Sequence, residues 1–500
     1  MKKLSNYLLL LLGGILISCT GNGGYLTDES TYLDTLSFEL ASDDEADWID
    51  VNDWNGASGG IRSNGFYAPP NGYSYAYQEG KGTWISRETG HVIQEGKTYT
   101  LKLWSRSVNK PGNTANTILQ AGFLKDGAKI TTVEQDVSAP RLKGAAATEP
   151  NDDGANIWVD GDYRHQFNEL HMYQPLSSNP VADPWLVVEN SGYDRISGDL
   201  GWAVGNVIAG EQKYIYGTLY QDRPPWYSSL TITRVLSEDP PDYQWSDPEL
   251  VLEHSGSEFP WVLDAHGYYD ESSGRLWMSW GGGICYVTEM DPASGMIMGH
   301  PESKEFDDHP QGMHTPVATW PETRDGWSGD QWSNAWNEGP ALYKRNGYWY
   351  FLASYGHLGE NYTIRLGRGT SPTGPFYDKH GTSLMEFDEE RNTYGNTLLL
   401  GAEGEQLVPG HPHIWEEKGD YFMGFDFRKD GSEEMDYMGI RRLYWIDDWP
   451  TIWMPVEVTL IADDHPEFIG KKLEIGFRNA GEAGSELGVD LITISVTKAK

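Results

Sequence analysis

Apolar and polar positions alternate near both ends of the chain, and this alternation predicts β-strands. Residues 98–104 place apolar side chains on one face and polar side chains on the other, and residues 472–477 repeat the pattern. Short strands separated by Gly- and Pro-containing turns are typical of a β-sandwich. We predict one jelly-roll sandwich whose first part is residues 33–147 and whose final strands lie in residues 453–500, with the intervening segment inserted. The alternative is two separate small β units.

A second pattern fills the segment from residue 148 to residue 452. An apolar stretch, a Gly turn, an aromatic strand, a further strand and a Trp-containing polar loop recur about every 50–60 residues. A β repeat of this length is typical of propeller blades. We therefore predict an all-β protein in which a five-bladed β-propeller is inserted into, or flanked by, the sandwich. The five copies begin near Asp153, Trp202, Leu263, Glu338 and Asn396.

Acidic residues stand near the starts of three of these copies. Glu338 heads a predicted hairpin in which a Gly-Pro pair, an apolar run and an Asn-Gly turn follow. Asp264 and Asp153, with Asp152 as an alternative, hold similar places, and innermost blade strands point at one axis. Glycoside hydrolysis needs two carboxyl groups, and a third acid nearby can tune the proton donor. The competing interpretation is that these acids are solvated turn residues.

The N-terminus carries the features of a bacterial export signal. Lys2 and Lys3 precede an apolar run, which is too short for a stable transmembrane helix and ends in Leu16-Ile17-Ser18-Cys19. This ending resembles a lipobox, so residues 1–19 are predicted to be a lipoprotein signal peptide with Cys19 as the lipidated residue. Residues 20–32 would be a tether. The resemblance implies an outer-membrane lipoprotein that faces the periplasm or the cell surface; the alternative is an ordinary signal peptide.

Composition narrows the partners. The formal net charge of -37 argues against nucleic acid or an anionic membrane surface as a ligand. The membrane would be contacted through the lipid anchor alone, and we expect a monomer. After lipidation of Cys19, Cys285 is the remaining cysteine, so the mature chain has no intramolecular disulfide. We expect Cys285 to be a buried small hydrophobic residue.

A series of short motifs, in order, resembles glycoside hydrolase family 43 over roughly residues 150–452, and most closely its arabinanase branch. The motifs are Leu263-Asp264, Tyr269-Asp270-Glu271, Gly274-Arg275-Leu276-Trp277, Gly282-Gly283-Ile284, Glu338-Gly339-Pro340, Tyr362-Thr363-Ile364-Arg365-Leu366-Gly367-Arg368, Gly374-Pro375-Phe376-Tyr377-Asp378 and Pro409-Gly410-His411. The resemblance implies an inverting propeller hydrolase of arabinose- or xylose-containing glycans.

The resemblance also implies roles for individual residues. Glu338 matches the general acid, and Asp264 matches the acid that tunes its pKa, although the family usually has Pro where Ala265 stands. Asp153 matches the general base, with Asp152 as the alternative. The family has Asp-Pro at the base position, whereas Gly154 follows Asp153 here.

Two metal sites are implied in the same way. His411 matches the histidine that holds a central metal ion, often Ca²⁺, through water, and His413 is the near alternative. The first and last strands of the predicted sandwich resemble those of a jelly-roll carbohydrate-binding module. In such modules an early Glu and a late Asp often share a structural Ca²⁺, which points to Glu39 and Asp490.

Aromatic residues beside the predicted acids are candidates for sugar-binding platforms, because aromatic faces stack on the C–H faces of sugar rings. The alternative is that they pack between blades. The candidates are Trp202, Trp261, Trp336 and Tyr355.

The leading prediction is an inverting glycoside hydrolase that cleaves arabinofuranosyl or xylosyl-type linkages in plant or algal polysaccharide. The alternative from another class is a non-catalytic glycan-binding surface lipoprotein of a polysaccharide uptake system, which the loss of Asp-Pro at Gly154 favours. A propeller hydrolase of another sugar family, such as a β-fructosidase or a sialidase, is a weaker alternative. Sialidases carry an arginine triad around the substrate carboxylate, and the sequence shows no convincing equivalent.

Overall fold

β-Strands form nearly all of the regular structure that the computed structural model describes, and the all-β prediction is confirmed. The described residues are 31–36, 45–47, 54, 59–63, 69, 74–138, 200–221, 227–237, 244–246, 249–255, 260–320, 337–356, 361–389, 391, 393–417, 419–428 and 437–498. Helical structure among them is limited to three 3-10 turns, at Phe306–Asp308, Ala462–Asp464 and Pro466–Phe468. No helix in these ranges is long and apolar enough to cross a membrane. Residues 1–30, which include the predicted signal peptide and Cys19, lie outside them.

The N-terminal part of the described chain supplies eight strands. They are β1 (Thr31–Leu36), β2 (Glu45–Asp47), β3 (Gly60–Ser63), β4 (Ser74–Glu79), β5 (Ile85–Val92), β6 (Lys97–Ser107), β7 (Ile118–Lys125) and β8 (Ala128–Asp136).

Four antiparallel blades follow in chain order. The first contains β9 (Leu200–Ala209), β10 (Gln212–Gln221), β11 (Tyr227–Ser237), β12 (Gln244–Trp245) and β13 (Glu249–Ser255). The second contains β14 (His266–Asp270), β15 (Arg275–Trp280), β16 (Ile284–Met290) and β17 (His314–Thr319). The third contains β18 (Asn337–Arg345), β19 (Tyr348–Tyr355), β20 (Thr363–Gly369) and β23 (Thr397–Leu400), beside a small ribbon of β21 (Phe387–Asp388) and β22 (Thr393–Tyr394). The fourth contains β24 (Leu407–Glu417), β25 (Asp420–Arg428), β26 (Tyr437–Ile446) and β27 (Trp449–Thr451).

The opening strand of each blade is its innermost strand. β14 lies between β9 and β18, and β18 also lies against β24, so these strands succeed one another around the propeller axis. Residues at the ends of the inner strands therefore meet although they are far apart in sequence. The predicted first copy, near Asp153, lies outside the described residues.

One predicted blade boundary is wrong. We expected the fifth copy to begin at Asn396, but Thr397–Leu400 pairs with β20 as the outermost strand of the preceding blade. The last blade begins at Leu407 instead. The outer strand is as apolar as an inner strand and is buried throughout, so the sequence pattern does not separate the two.

The C-terminal strands β28 (Met454–Ile461), β29 (Lys472–Asn479) and β30 (Glu486–Lys498) pair with the N-terminal strands. One sheet has the order β2-β3-β4-β30-β6-β28 with β1 also on β30, and the other has the order β5-β29-β7-β8. Apolar side chains from both ends of the chain share one core, in which Phe123 and Phe477 are almost fully buried. Both ends of the chain therefore build both sheets.

A buried carboxylate links the two-sheet unit to the last two blades. Glu403, which is 2% exposed, forms ion pairs with Arg106 of β6 and Arg441 of β26. Nearby, the rings of Trp104 and Tyr444 meet edge to face with centroids 6.2 Å apart. Because both arginines are nearly fully buried, the negative charge of Glu403 offsets part of the cost of burying their charges.

Candidate active site

Asp264 lies just before β14, at the inner edge of its blade. Its φ of 57° places it in the left-handed region, which aspartate tolerates better than most residues do. The backbone N–H of Asp264 donates a hydrogen bond to Oγ1 of Thr218 on the neighbouring blade, at 2.8 Å. The side chain is 6% exposed. The conformation and this contact hold the carboxylate towards the axis.

Glu338 lies at the start of β18, where the strand is bulged. Glu338 pairs with Ser354, but the next pair joins Ala341 to Leu352, so one extra residue is inserted after Glu338. Gly339 in this bulge has φ 59°, and its N–H donates to Oδ2 of Asp264 at 3.1 Å. Because Gly339 directly follows Glu338, this hydrogen bond holds the backbone of Glu338 close to the carboxylate of Asp264.

His411 completes this group from β24. It lies within the second of two further bulges in the β24–β25 pairing, between Gly410 and His413, and its φ is 49°. Its Nε2 atom is 3.6 Å from Oδ2 of Asp264, and its backbone N–H donates to Oγ of Ser354 at 2.8 Å. A Cβ on Gly339 would come within 3.0 Å of the imidazole ring, so this approach requires glycine. Burial lowers the pKa of His411 to about 4, which keeps the ring neutral near pH 7.

Two further histidines meet below this group. Nε2 of His266, at the start of β14, hydrogen-bonds to Nδ1 of His413 on β24, and the ring centroids are 4.5 Å apart. Burial, with a smaller contribution from the neighbouring imidazole of His411, lowers the pKa of His266 to about 4. His413 is thus engaged by His266, whereas His411 faces Asp264.

Glu338 receives a hydrogen bond from a tyrosine that the sequence analysis did not single out. The hydroxyl of Tyr362, just before β20, donates to Oε1 of Glu338 at 2.6 Å. Cys285 is fully buried, as predicted. Burial, with the nearby charges of Asp264 and Glu338, raises the pKa of its thiol well above the usual value. Cys285 therefore stays a neutral thiol close to both acids.

The environment of His411 fits a hydrated cation. Within the described ranges its Nε2 atom is buried and has no hydrogen-bond partner, and the Asp264 carboxylate is close by. Ca²⁺ prefers oxygen ligands, so an imidazole would act on it through a bound water. A separate group, His254, Glu305 and Asp307, also brings three possible ligand atoms within 4.8 Å of one another. There, however, Nδ1 of His254 is already 3.2 Å from Oε1 of Glu305.

Two of the predicted sugar platforms are wrong. Trp261 is 5% exposed, and Tyr355 is 1% exposed and packs edge-on against Trp320 with centroids 5.2 Å apart. Both side chains belong to the blade interior, so neither offers a free ring face. Trp202 lies in β9, but its side chain is not among the described groups, and Trp336 lies outside the described residues.

The remaining predicted site residues either lie outside the described residues or are buried. Asp152, Asp153 and Glu39 lie outside the described residues. Asp490 is fully buried in β30, and its charge acts on Lys379, a cation from the propeller. The Ca²⁺ site predicted at Glu39 and Asp490 therefore stays a prediction, because Glu39 lies outside the described residues.

The arrangement defines a class of protein: a β-propeller that joins two acidic residues near its axis. A family model described as glycosyl hydrolases family 43 matches residues 186–450, more than half of the chain. The chain belongs to glycosyl hydrolase family 43.

Two relatives are similar in sequence to part of this chain. An extracellular endo-alpha-(1->5)-L-arabinanase of Thermotoga petrophila is 27% identical over 225 residues, which cover 39% of this chain and 41% of that protein. An extracellular exo-alpha-(1->5)-L-arabinofuranosidase of Cellvibrio japonicus is 23% identical over 231 residues, which cover 45% of this chain and 61% of that protein. This chain therefore spans less than two thirds of the length of these relatives.

Among solved structures, the Cellvibrio cellulosa alpha-L-arabinanase complexed with arabinohexaose is 19% identical to this chain, with a TM-score of 0.41. The match covers 56% of this chain and 83% of that one.

Proposed function

We propose that the protein is an inverting glycoside hydrolase that cleaves arabinofuranosyl or xylosyl-type linkages in plant or algal polysaccharide. The observation that carries the proposal is the Gly339 hydrogen bond that joins Glu338 to Asp264 across two blades of a family 43 chain. The names of the relatives, which are extracellular arabinanases and an arabinofuranosidase, make arabinan the first substrate to test.

In the proposed mechanism Glu338 gives a proton to the departing glycosidic oxygen. Asp264 lies beside Glu338, and a neighbouring negative charge favours the protonated form of an acid. Asp153, or Asp152, would draw a proton from the attacking water on the opposite face of the sugar. An inverting pair needs about 6.5–9.5 Å between its carboxyl groups to accommodate that water.

His411 would hold a central Ca²⁺ through water. The ion would supply a fixed positive charge to the floor of the cleft. His411 is suited to this role because it is neutral and its Nε2 atom can accept a hydrogen bond from a bound water. In the sandwich, Glu39 and Asp490 would share a second, structural Ca²⁺, and the full burial of Asp490 would shield that ion from water.

For location, we propose an outer-membrane lipoprotein, anchored at Cys19 and facing the periplasm or the cell surface. It would act as a monomer. The relatives named as extracellular support an exported protein. Replacing Cys19 by Ala should release the protein from the membrane fraction and abolish labelling by a fatty-acid analogue. Continued labelling of the variant would rule out this anchor.

The decisive experiment compares the wild type with Glu338→Gln on debranched arabinan, arabinoxylan, arabinogalactan and algal glycans. We expect product from at least one polymer, and loss of that product by several orders of magnitude in the variant with binding retained. Glu457→Gln is the matched control, because Glu457 is an exposed acid of the sandwich. Near-wild-type turnover of Glu338→Gln would remove Glu338 from the acid role.

The second candidate is a non-catalytic glycan-binding lipoprotein. Gly154, in place of the Pro that usually follows the family's base, favours this alternative. It predicts retention of the protein on a glycan column with no product from any polymer.

A further inference from the structure

Tyr362 is a buried phenol with a single orientation. It is 2% exposed, and its ring packs so closely against Gly410 that a Cβ there would come within 2.3 Å of the ring. Its hydroxyl donates to Oε1 of Glu338 at 2.6 Å. Burial and the charge of Glu338 raise the pKa of Tyr362 well above the usual value. The hydroxyl is therefore protonated, and able to donate, at any pH where the protein works.

The hydrogen bond from Tyr362 to Glu338 is the last in a series of hydrogen bonds that begins at the His411 amide. The backbone N–H of His411 donates to Oγ of Ser354 at 2.8 Å, and an amide N–H can only donate. Ser354 also hydrogen-bonds to Tyr362, and because the single phenol proton is donated to Glu338, the Ser354 hydroxyl is the donor in that bond. These hydrogen bonds therefore all point in one direction, from the His411 amide through Ser354 and Tyr362 to Oε1 of Glu338.

From this series of hydrogen bonds we infer that Tyr362 is a positioning residue that assigns different roles to the two carboxyl oxygens of Glu338. Oε1 is held as a hydrogen-bond acceptor, so the acidic proton resides on Oε2. This inference rests on the proposed acid role of Glu338.

The assignment defines the proton-transfer step. The Oε2–H bond of Glu338 breaks, and a new O–H bond forms on the departing glycosidic oxygen. That oxygen takes the electron pair of the broken C–O bond. Water adds at the sugar carbon and passes its proton to the base. Glu338 is left as a carboxylate, and the Tyr362 hydroxyl stabilises the new charge at Oε1.

The other groups around Glu338 do not replace Tyr362. Asp264 lies on the far side of the Gly339 peptide and accepts its N–H. The imidazole of His411 faces Asp264, with Nε2 3.6 Å from Oδ2, and the Cys285 thiol donates to the carbonyl of Gly281 at 3.5 Å. The Tyr362 hydroxyl, by contrast, donates directly to Glu338.

The test is Tyr362→Phe, which keeps the ring against Gly410 and removes only the hydroxyl. On substrates with poor leaving groups, kcat should fall about 10- to 100-fold, a part of the roughly 10²- to 10⁴-fold that general acid catalysis supplies, while KM stays near the wild-type value. On aryl glycosides with activated leaving groups the loss should disappear. The alkaline limb of the kcat profile should move to higher pH, because a lost donor disfavours the carboxylate.

The control is Tyr216→Phe. Tyr216 is fully buried and donates to the carbonyl of Gly295 at 2.8 Å, away from both acids. It should leave the leaving-group dependence and the pH profile unchanged. If Tyr362→Phe does not fold, Ser354→Ala, which removes the upstream donor, should shift the same limb in the same direction by less.

Equal kcat losses on activated and unactivated substrates, or an unmoved alkaline limb, would overturn the inference while Glu338→Gln still establishes the hydrolase. If the wild type cleaves no polymer, the proposed function fails on its own. The ¹³C carboxyl titration of Glu338, identified by its absence in Glu338→Gln, then decides. A higher midpoint in Tyr362→Phe supports the inference, and an identical midpoint refutes it.

Discussion

The backbone N–H of Gly339 donates to Oδ2 of Asp264 at 3.1 Å and so ties the inner strand β18 to the acid that lies just before β14, the inner strand of the preceding blade. Gly339 can do this because it has φ 59° and leaves room for the His411 ring. A peptide bond, rather than a side chain, therefore sets the spacing of Glu338 and Asp264.

Gly339→Ala should damage both stability and activity. The left-handed conformation alone costs a non-glycine residue about 1–3 kcal/mol, and the new methyl group also presses on His411. We expect kcat to fall at least about tenfold, since small misplacements of reacting groups are costly. Gly347→Ala is the control, because Gly347 has φ 82° with nothing within 4 Å of an added Cβ. Equal activity of the two variants would contradict this prediction.

Asp264→Asn should move the alkaline limb of the kcat profile to lower pH, opposite to the shift for Tyr362→Phe. Asparagine still accepts the Gly339 N–H but removes a negative charge beside Glu338, so the acid ionises more easily. We expect about a 100-fold lower kcat on natural polymers. The measurement is a kcat profile from pH 4 to pH 10, with exposed Asp464→Asn as the control. An unmoved limb would mean that Asp264 does not tune Glu338.

Glu403→Gln should destabilise the protein strongly. It removes the negative charge that Arg106 and Arg441 share, and breaking a buried ion pair costs up to about 3–5 kcal/mol. The free energy of unfolding from denaturant titration checks the prediction. The exposed pair of Lys102 and Glu457 is the comparison, and Glu457→Gln should change stability by less than about 1 kcal/mol. Similar losses in the two variants would show that the buried link is not special.

His314 should make the fold sensitive to acid. Burial lowers its pKa to about 3, and the ring stacks on Phe306 and hydrogen-bonds to Thr288. The unfolded chain binds this proton near pH 6.5 and the folded chain only near pH 3, so stability falls as the pH drops through that window. The full effect is on the order of 3–5 kcal/mol.

The measurement is the pH dependence of the unfolding free energy in the wild type and in His314→Gln. The variant should lose less stability between pH 6.5 and pH 3, although its absolute stability is lower. His465→Gln, at a more exposed histidine, should keep the wild-type slope. Parallel curves for the wild type and His314→Gln would refute the prediction.

Local pattern was sufficient for much of the fold. The alternation over residues 98–104 became β6, with Tyr99, Leu101 and Leu103 at most 2% exposed. The Glu338 hairpin formed with its turn at Asn346, which has a positive φ as an Asn-Gly turn requires. Both features depend on neighbours in sequence, so they are readable from it.

Contacts between blades were not readable in this way. Trp261 and Tyr355 were predicted to face sugar, yet they are buried, because the outcome depends on which neighbouring strand covers each ring. Tyr362 stood within a motif that resembles the family, but nothing local showed that its hydroxyl reaches Glu338, 24 residues away. Thr218 and Ser354 were missed for the same reason.

The sequence by itself determined the all-β class, the strand alternation and which acid heads the third described blade. These follow from side-chain periodicity and turn chemistry within a few residues. Only the tertiary structure decided that Gly339 binds Asp264, that His411 rather than His413 faces that carboxylate, and that Tyr362 fixes Glu338. Each of these contacts joins strands of different blades or of different positions within one blade, and packing around the axis, rather than proximity in the chain, brings them together.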